Sequence, residues 1–232
     1  MIAPLAGLNV LDLTSGPAGG LATMVLADFG ARVERIIDPD FSHLNDIPSA
    51  RMWLRGKTIY PDLNDGVVKA DILVISTPNG FKGVSYEDCI RINPEIIFCE
   101  VSPFGNDIDL PAYEAVVAAK AGRMLSMEGI TKTPGPNYTA VPVATHATAQ
   151  NIVSAVLAAT FRKLKDGRGQ EITTSMLQGL MPYDQGTSLG LQINPDMKLP
   201  DATSIMPTLN YHPVQCADGQ WMQLGNLLPH LF

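Results

Sequence analysis

Positive charge is scarce in this sequence: 16 lysines and arginines face 23 acidic residues, a net charge of −7 over 232 residues. The basic residues are scattered rather than gathered into a stripe, so the phosphate neutralisation that nucleic-acid binding needs is missing. One local site for a polyanionic cofactor remains compatible with that balance. Cysteine is scarce as well. Cys89, Cys99 and Cys216 are odd in number and widely spaced, which excludes a disulfide framework and a CxxC metal pair; reduced thiols and no metal are expected. No apolar run is long enough to span a bilayer, and no basic segment followed by an apolar one opens the chain. A cytoplasmic protein with no membrane partner is the expectation. GxGxxG and GxxxxGK[ST] are both absent, which weighs against a dinucleotide-dependent oxidoreductase. What is present is ordinary for a globular protein: 46% hydrophobic and 17% charged residues, at a length sufficient for one substantial domain or one and a half small ones.

The first half alternates between strand and helix signals. Residues 8–13 (LNVLDL) form a short apolar run, and Leu21, Val25 and Phe29 then fall on one helix face before Gly30, which is placed as a helix-ending glycine. Residues 32–37 read as a second strand, so a right-handed βαβ unit opens the chain. Residues 58–63, 71–75 and 95–101 follow as strands; the last two are almost continuously apolar, as strands covered on both faces are. Residues 86–92 read as a helix stopped by Asn93-Pro94. The interval between Leu63 and Ile72 is too short for an ordinary helical crossover. Two apolar helices are expected at 113–127 and 147–165, then a strand at 171–174. Pro-rich spacers at 134–142 and 195–213 read as loops, and Asp218-Gly219 as a turn ahead of a strand at 221–224. The pattern predicts an α/β fold, a Rossmann-like, doubly wound and mostly parallel sheet.

Between the first strand and helix lie Gly16, Gly19 and Gly20. A helix N-terminus after such a turn can receive an anion, but the spacing equally fits a tight turn that lets the helix pack closely on the sheet.

Several segments together resemble the family III CoA-transferases, the CaiB/BaiF family. They are residues 4–10 with Leu11-Asp12-Leu13-Thr14, Ala18-Gly19, residues 26–33 (LADFGARV), Arg55-Gly56-Lys57, residues 70–74, Asn93-Pro94, Gly167-Arg168-Gly169-Gln170 with Ser175, and Asp218-Gly219-Gln220-Trp221. Each is short; their order and spacing carry the likeness. The resemblance implies a large Rossmann-like domain at 1–190, followed at 191–232 by a linker and the beginning of a truncated small domain. It also implies acyl-CoA as substrate, coenzyme A as ligand, and an oligomer with itself or with a homologous chain, usually two subunits threaded through one another.

The family's chemistry, as the resemblance implies it, uses an aspartate just before the long central helix. That carboxylate accepts the acyl group and then carries CoA as a thioester; a hydroxyl cannot do the same. Counting back from Gln170 places this position at Thr145, and no Asp or Glu lies between Gly129 and Lys165. Thr145 also reads as a helix N-cap, a role threonine and aspartate share. His146 reads as a packed or solvated residue. Tyr113-Glu114 resembles the formyl-CoA transferase branch, where a glutamate assists near the substrate; Glu114 equally fits an acid at a helix N-terminus. By the same resemblance, the CoA-contacting positions fall on Ser15, Gly16, Pro17, Ala18, Ser76, Thr77 and Pro78. A position often basic after the second strand holds Asp38. The sequence therefore carries two readings: a CoA-transferase-like protein whose nucleophile position holds Thr145, or a catalytically silent partner of an active homologous chain.

Overall fold

A computed structural model describes residues 3–77, 81–105, 108, 110–126, 135–184, 193–194 and 213–225. Strand β1 (Asn9–Leu13) leads through helix α1 (Pro17–Asp28) to β2 (Arg32–Arg35). A 3₁₀ turn (Pro39–Asn45) and α2 (Ala50–Trp53) precede β3 (Lys57–Ile59). Then come α3 (Leu63–Lys69), β4 (Ile72–Ser76), α4 (Tyr86–Ile92) and β5 (Ile97–Ser102). Helices α5 (Glu114–Lys120), α6 (Arg123–Ser126) and α7 (Val143–Asp166) lead to β6 (Gln170–Ser175) and α8 (Met176–Leu180). Strands β7 (Pro213–Gln215) and β8 (Trp221–Gln223) close the described chain.

Six strands form one parallel sheet in the order β3-β2-β1-β4-β5-β6. Their period-two pattern divides the core. Val10, Ile72, Val74, Ile97, Cys99 and Val101 point to the face covered by α1 and α7, where Leu21, Met24, Ile152 and Val156 meet them. Leu11, Leu13, Leu73, Ile75 and Phe98 point to the other face, against Val67 of α3 and Cys89 of α4. Burial on both faces explains why these strands are apolar throughout. The expected doubly wound α/β sheet is the architecture observed.

Several local expectations change. The interval before β4 does hold a helical crossover: α3 is seven residues long, and its N-cap Asp62 accepts from the Asp65 amide at 3.0 Å. A short helix suffices because Asn93 closes its far end, donating to Val67 O at 3.1 Å and Ala70 O at 2.8 Å. The third strand is shorter than expected and begins at Lys57. The helix expected from 113 is broken into α5 and α6 at Gly122, whose φ of 77° ends a helix. Helix α7 starts four residues earlier than expected and has 24 residues, about 36 Å at 1.5 Å per residue. Its last turn carries Lys163 and Lys165, and Gly167 ends it in the left-handed region at φ 70°.

The chain divides into two compact units, Met1–Ala121 with Thr139–Gln185, and Gly122–Tyr138 with Gly186–Phe232. The sheet, with α1–α5, α7 and α8, makes the first. The second contains α6 and the antiparallel β7–β8 hairpin, whose turn is held by the Gln220 amide donating to Asp218 Oδ1 at 3.0 Å. Cys89 and Cys99 are buried free thiols, and Cys216, part-exposed, is free as well. Burial pushes the Cys89 thiol up to about 11 and that of Cys99 to about 12. No described helix is long and apolar enough to cross a membrane.

Candidate active site at the carboxyl edge of the sheet

Strand order reverses between β1 and β4, because β2 and β3 lie on one side of β1 and β4, β5 and β6 on the other. In open parallel sheets the crevice at such a point, beyond the carboxyl ends of the strands, is where ligands bind. Two of the segments expected to contact CoA meet there: the Ser15 amide donates to Ser76 Oγ at 3.2 Å. Ser15, Gly16, Pro17, Ser76 and Thr77 are all part-exposed, whereas Ala18 is buried. Thr77 is fastened to β5, its amide donating to Val101 O at 2.8 Å and its hydroxyl to Glu100 Oε1 at 2.7 Å. Pro78 lies outside the described residues.

The glycines of the first turn have separate purposes. A Cβ on Gly19 would collide with the Thr14 side chain, and one on Gly20 would lie 2.6 Å from the Trp53 ring. These two let α1 pack closely. Gly16 is different: a Cβ there would meet nothing within 4 Å, so it borders open space in the crevice.

Under the turn lies a buried ionic cluster. Asp12 is fully buried and accepts from the Thr14 amide at 2.9 Å, Thr14 Oγ1 at 2.6 Å, Thr23 Oγ1 at 2.8 Å and Lys57 Nζ at 2.7 Å. Arg35 approaches the same carboxylate at 3.5 Å. Lys57, its side chain 2% exposed, also donates to Gly20 O at 2.9 Å. Burial opposes ionisation of Asp12, yet the charges of Lys57 and Arg35 and the bonds from Lys57 and Thr14 hold its carboxyl below the usual value of 3.8. A charge inside an apolar strand is the signal in the sequence that could have exposed this cluster.

The second group assembles at the head of α7. Thr145 is not the N-cap; that position is Pro142, which has no capping side chain. Thr145 instead occupies the third helical position and is 3% exposed. The missing cap comes from another helix. Glu114, the first residue of α5, accepts from the Ala144 amide through Oε1 at 2.8 Å. Its Oε2 accepts from the Thr145 amide and from Thr145 Oγ1, both at 2.7 Å. A carboxylate is favoured there by unpaired first-turn amides and the helix dipole. The sequence offered Thr145 itself as the cap; the acceptor that takes that role, Glu114, lies too far away in the chain to be read there. His146 is exposed, and Tyr113 is 70% exposed. Asp38 caps the 3₁₀ turn after β2, accepting from the Asp40 amide at 2.9 Å.

One apolar cluster connects the heads of the helices: Ala18 of α1, Val117 of α5, Ala144 of α7, and Met176 and Leu180 of α8, with Phe104 after β5. The Ser15–Ser76 crevice and the Glu114–Thr145 pair thus belong to the same edge of the sheet and the same compact unit. Chemically, this edge offers a half-buried carboxylate, a buried hydroxyl bonded to it and an open approach over Gly16. Among the described residues, no group of three or more His, Cys, Asp or Glu side chains is placed to hold a metal ion.

Residues 5–51 and 63–232 match the sequence profile of CoA-transferase family III; Arg55-Gly56-Lys57 falls in the unmatched interval. A formyl-CoA:oxalate CoA-transferase of Escherichia coli O81 (strain ED1a) is 30% identical over 210 residues, covering 78% of this chain and 49% of that protein. The chain thus spans about half the length of the curated relatives it matches. Among solved structures, a CAIB/BAIF family protein from Brucella suis superposes with a TM-score of 0.75 at 21% identity, over 94% of this chain and 65% of that one. A hypothetical protein from Mycobacterium tuberculosis gives 0.74 at 24% identity, over 84% and 61%. At these identities the superpositions bear on the fold.

Proposed function

This chain belongs to the family III CoA-transferases, and from that membership we propose that it binds the CoA of an acyl-CoA in the crevice between Ser15 and Ser76 and takes part in CoA transfer to a carboxylic acid. The observation that carries the reading is the Ser15 amide bond to Ser76 Oγ at the strand-order reversal, which draws together two segments of small, part-exposed residues. Ser15, Gly16, Pro17, Ser76 and Thr77 contact the ligand in this reading. Ala18 supports them from the apolar cluster. Thr145 cannot itself become a CoA thioester, since its hydroxyl yields only an ester. In this reading the large domain lies within residues 1–190, its compact part being 1–121 with 139–185, a second domain takes in 191–232, and the working unit is an oligomer with itself or a homologous chain.

The position of Thr145 also favours a second reading, in which the chain is a silent partner that binds CoA while a homologous subunit carries out transfer. Copurification of an aspartate-bearing homologue and inactivity of this chain alone would mark that case.

Binding is tested by equilibrium titration with CoA and an acyl-CoA. Gly16→Trp places bulk in the crevice without a clash at Cβ, and its φ of −159° is open to any residue. It should weaken CoA binding by roughly tenfold or more, about 1.4 kcal/mol, and leave the melting temperature unchanged. Unaltered affinity in that variant sinks the site.

A further inference from the structure

We propose that Glu114 is the acyl-accepting and CoA-carrying carboxylate of this chain, with Thr145 as the donor that positions it and polarises it. The inference rests on the CoA-binding reading above and assigns the covalent step to a residue of this sequence.

Three observations point the same way. The head of α7 holds a carboxylate, although its own residues supply none. Glu114 is half-buried while Thr145 is 3% exposed, so the carboxylate is the more reachable of the pair. The two oxygens of Glu114 are also unequal. Oε2 takes two donors at 2.7 Å, the Thr145 amide and hydroxyl. Oε1 takes the Ala144 amide at 2.8 Å, which leaves it one lone pair among the described contacts, since a carboxylate has about four such positions.

That inequality matches the needs of two successive acyl transfers. In the first, the free lone pair of Oε1 attacks the thioester carbonyl carbon. The carbon–sulfur bond breaks, CoA leaves as its thiolate, and a mixed anhydride joins the acyl group to Glu114. In the second, the thiolate attacks the side-chain carbonyl carbon of Glu114. The bond from that carbon to the bridging oxygen breaks, the acyl group departs as a carboxylate carrying that oxygen, and Glu114 remains as a CoA thioester. The oxyanion of the second addition forms on Oε2. There the Thr145 amide and hydroxyl already stand at 2.7 Å, inside the range that an oxyanion site requires. An acceptor carboxylate reverses both steps and removes CoA. No proton, oxidant or further reactant is needed.

The intact protein is incubated with acetyl-CoA, its mass is measured, and the adduct is reduced with borohydride and mapped to a peptide. CoA affinity is measured in parallel on every variant. The expected result is a gain of one CoA less one water, localised to Glu114, absent in Glu114→Gln and present in Thr145→Val. Loss of one oxyanion donor slows formation in Thr145→Val by about 100-fold or more, and Thr145→Ser restores the rate. An adduct on Thr145, an adduct that persists in Glu114→Gln, or equal rates in wild type and Thr145→Val overturns the assignment. CoA binding with no adduct overturns it too, and leaves the silent-partner reading standing. Failure to bind CoA at all removes the functional proposal and this inference with it.

Discussion

At the scale of single residues, the Glu114–Thr145 pair does two jobs, since the contacts that would serve chemistry also finish a helix. Glu114→Ala removes the acceptor for two first-turn amides and a hydroxyl; by analogy with lost caps it should cost about 1–2 kcal/mol in urea unfolding. Thr145→Asp is the more discriminating change, because it sets a second carboxylate against Glu114. Like charges at that distance raise the pKa of the pair in the folded state. An acid whose folded pKa is raised loses stability as pH climbs past its unfolded value. Thr145→Asp should therefore be most stable near pH 4 to 5 and weaker at pH 8 by about 1.4 kcal/mol for each unit of elevation. The double variant Glu114→Gln/Thr145→Asp should lose that pH dependence; if it keeps the same slope, the two side chains do not interact. Thr145 itself was legible in the sequence as a departure from an expected carboxylate. That Glu114 lies against it was not, because 31 residues separate them and the contact depends on α5 packing on α7 through Val117 and Ala144.

At the scale of elements, the strands were the most readable part. β4 and β5 announce burial on both faces by continuous apolar sequence, and α4 was delimited correctly at 86–92 with its Asn93-Pro94 stop; the Ser85 N-cap is a finding of the structure. Boundaries failed where the determining contact was remote. The crossover before β4 looked too short for a helix because its C-terminal closure comes from Asn93, beyond β4 in the chain. That dependence is testable. Asn93→Ala leaves the Val67 and Ala70 carbonyls without this donor, and it should cost about 1–3 kcal/mol, as buried polar groups left unmatched do. Hydrogen exchange should quicken in α3 while β5 stays protected. Equal quickening throughout the sheet would show that Asn93 acts on the whole domain rather than on α3. The first turn was more legible: its glycine spacing fitted a tight turn that packs the helix closely, and Gly19 does make room for Thr14. Gly19→Ala should therefore destabilise by about 1–3 kcal/mol through overpacking, an effect visible without any ligand.

At the scale of the molecule, the crevice depends on Asp12 in β1. It ties that strand to α1 through Thr23, to β3 through Lys57 and to β2 through Arg35. One buried carboxylate thus joins four elements beneath the Ser15–Gly20 turn. Its pKa is depressed in the folded protein, so its contribution is fully present above the unfolded value near 4 and is lost as pH falls through the lower native value. Stability of the wild type should accordingly drop steeply below about pH 4. Asp12→Asn removes that component of the acid limb, but it also leaves Lys57 buried without its counter-charge, a loss of about 3–5 kcal/mol at neutral pH. The double variant Asp12→Asn/Lys57→Met removes the Lys57 charge as well, leaves Arg35 in place, and should recover part of the neutral-pH loss while keeping the flatter acid limb. CoA affinity provides the remaining arm. If the cluster holds the turn in shape, the double variant binds CoA more weakly even where it is as stable as wild type; equal affinity would mean that the turn keeps its form through Gly19, Gly20 and Trp53 packing alone.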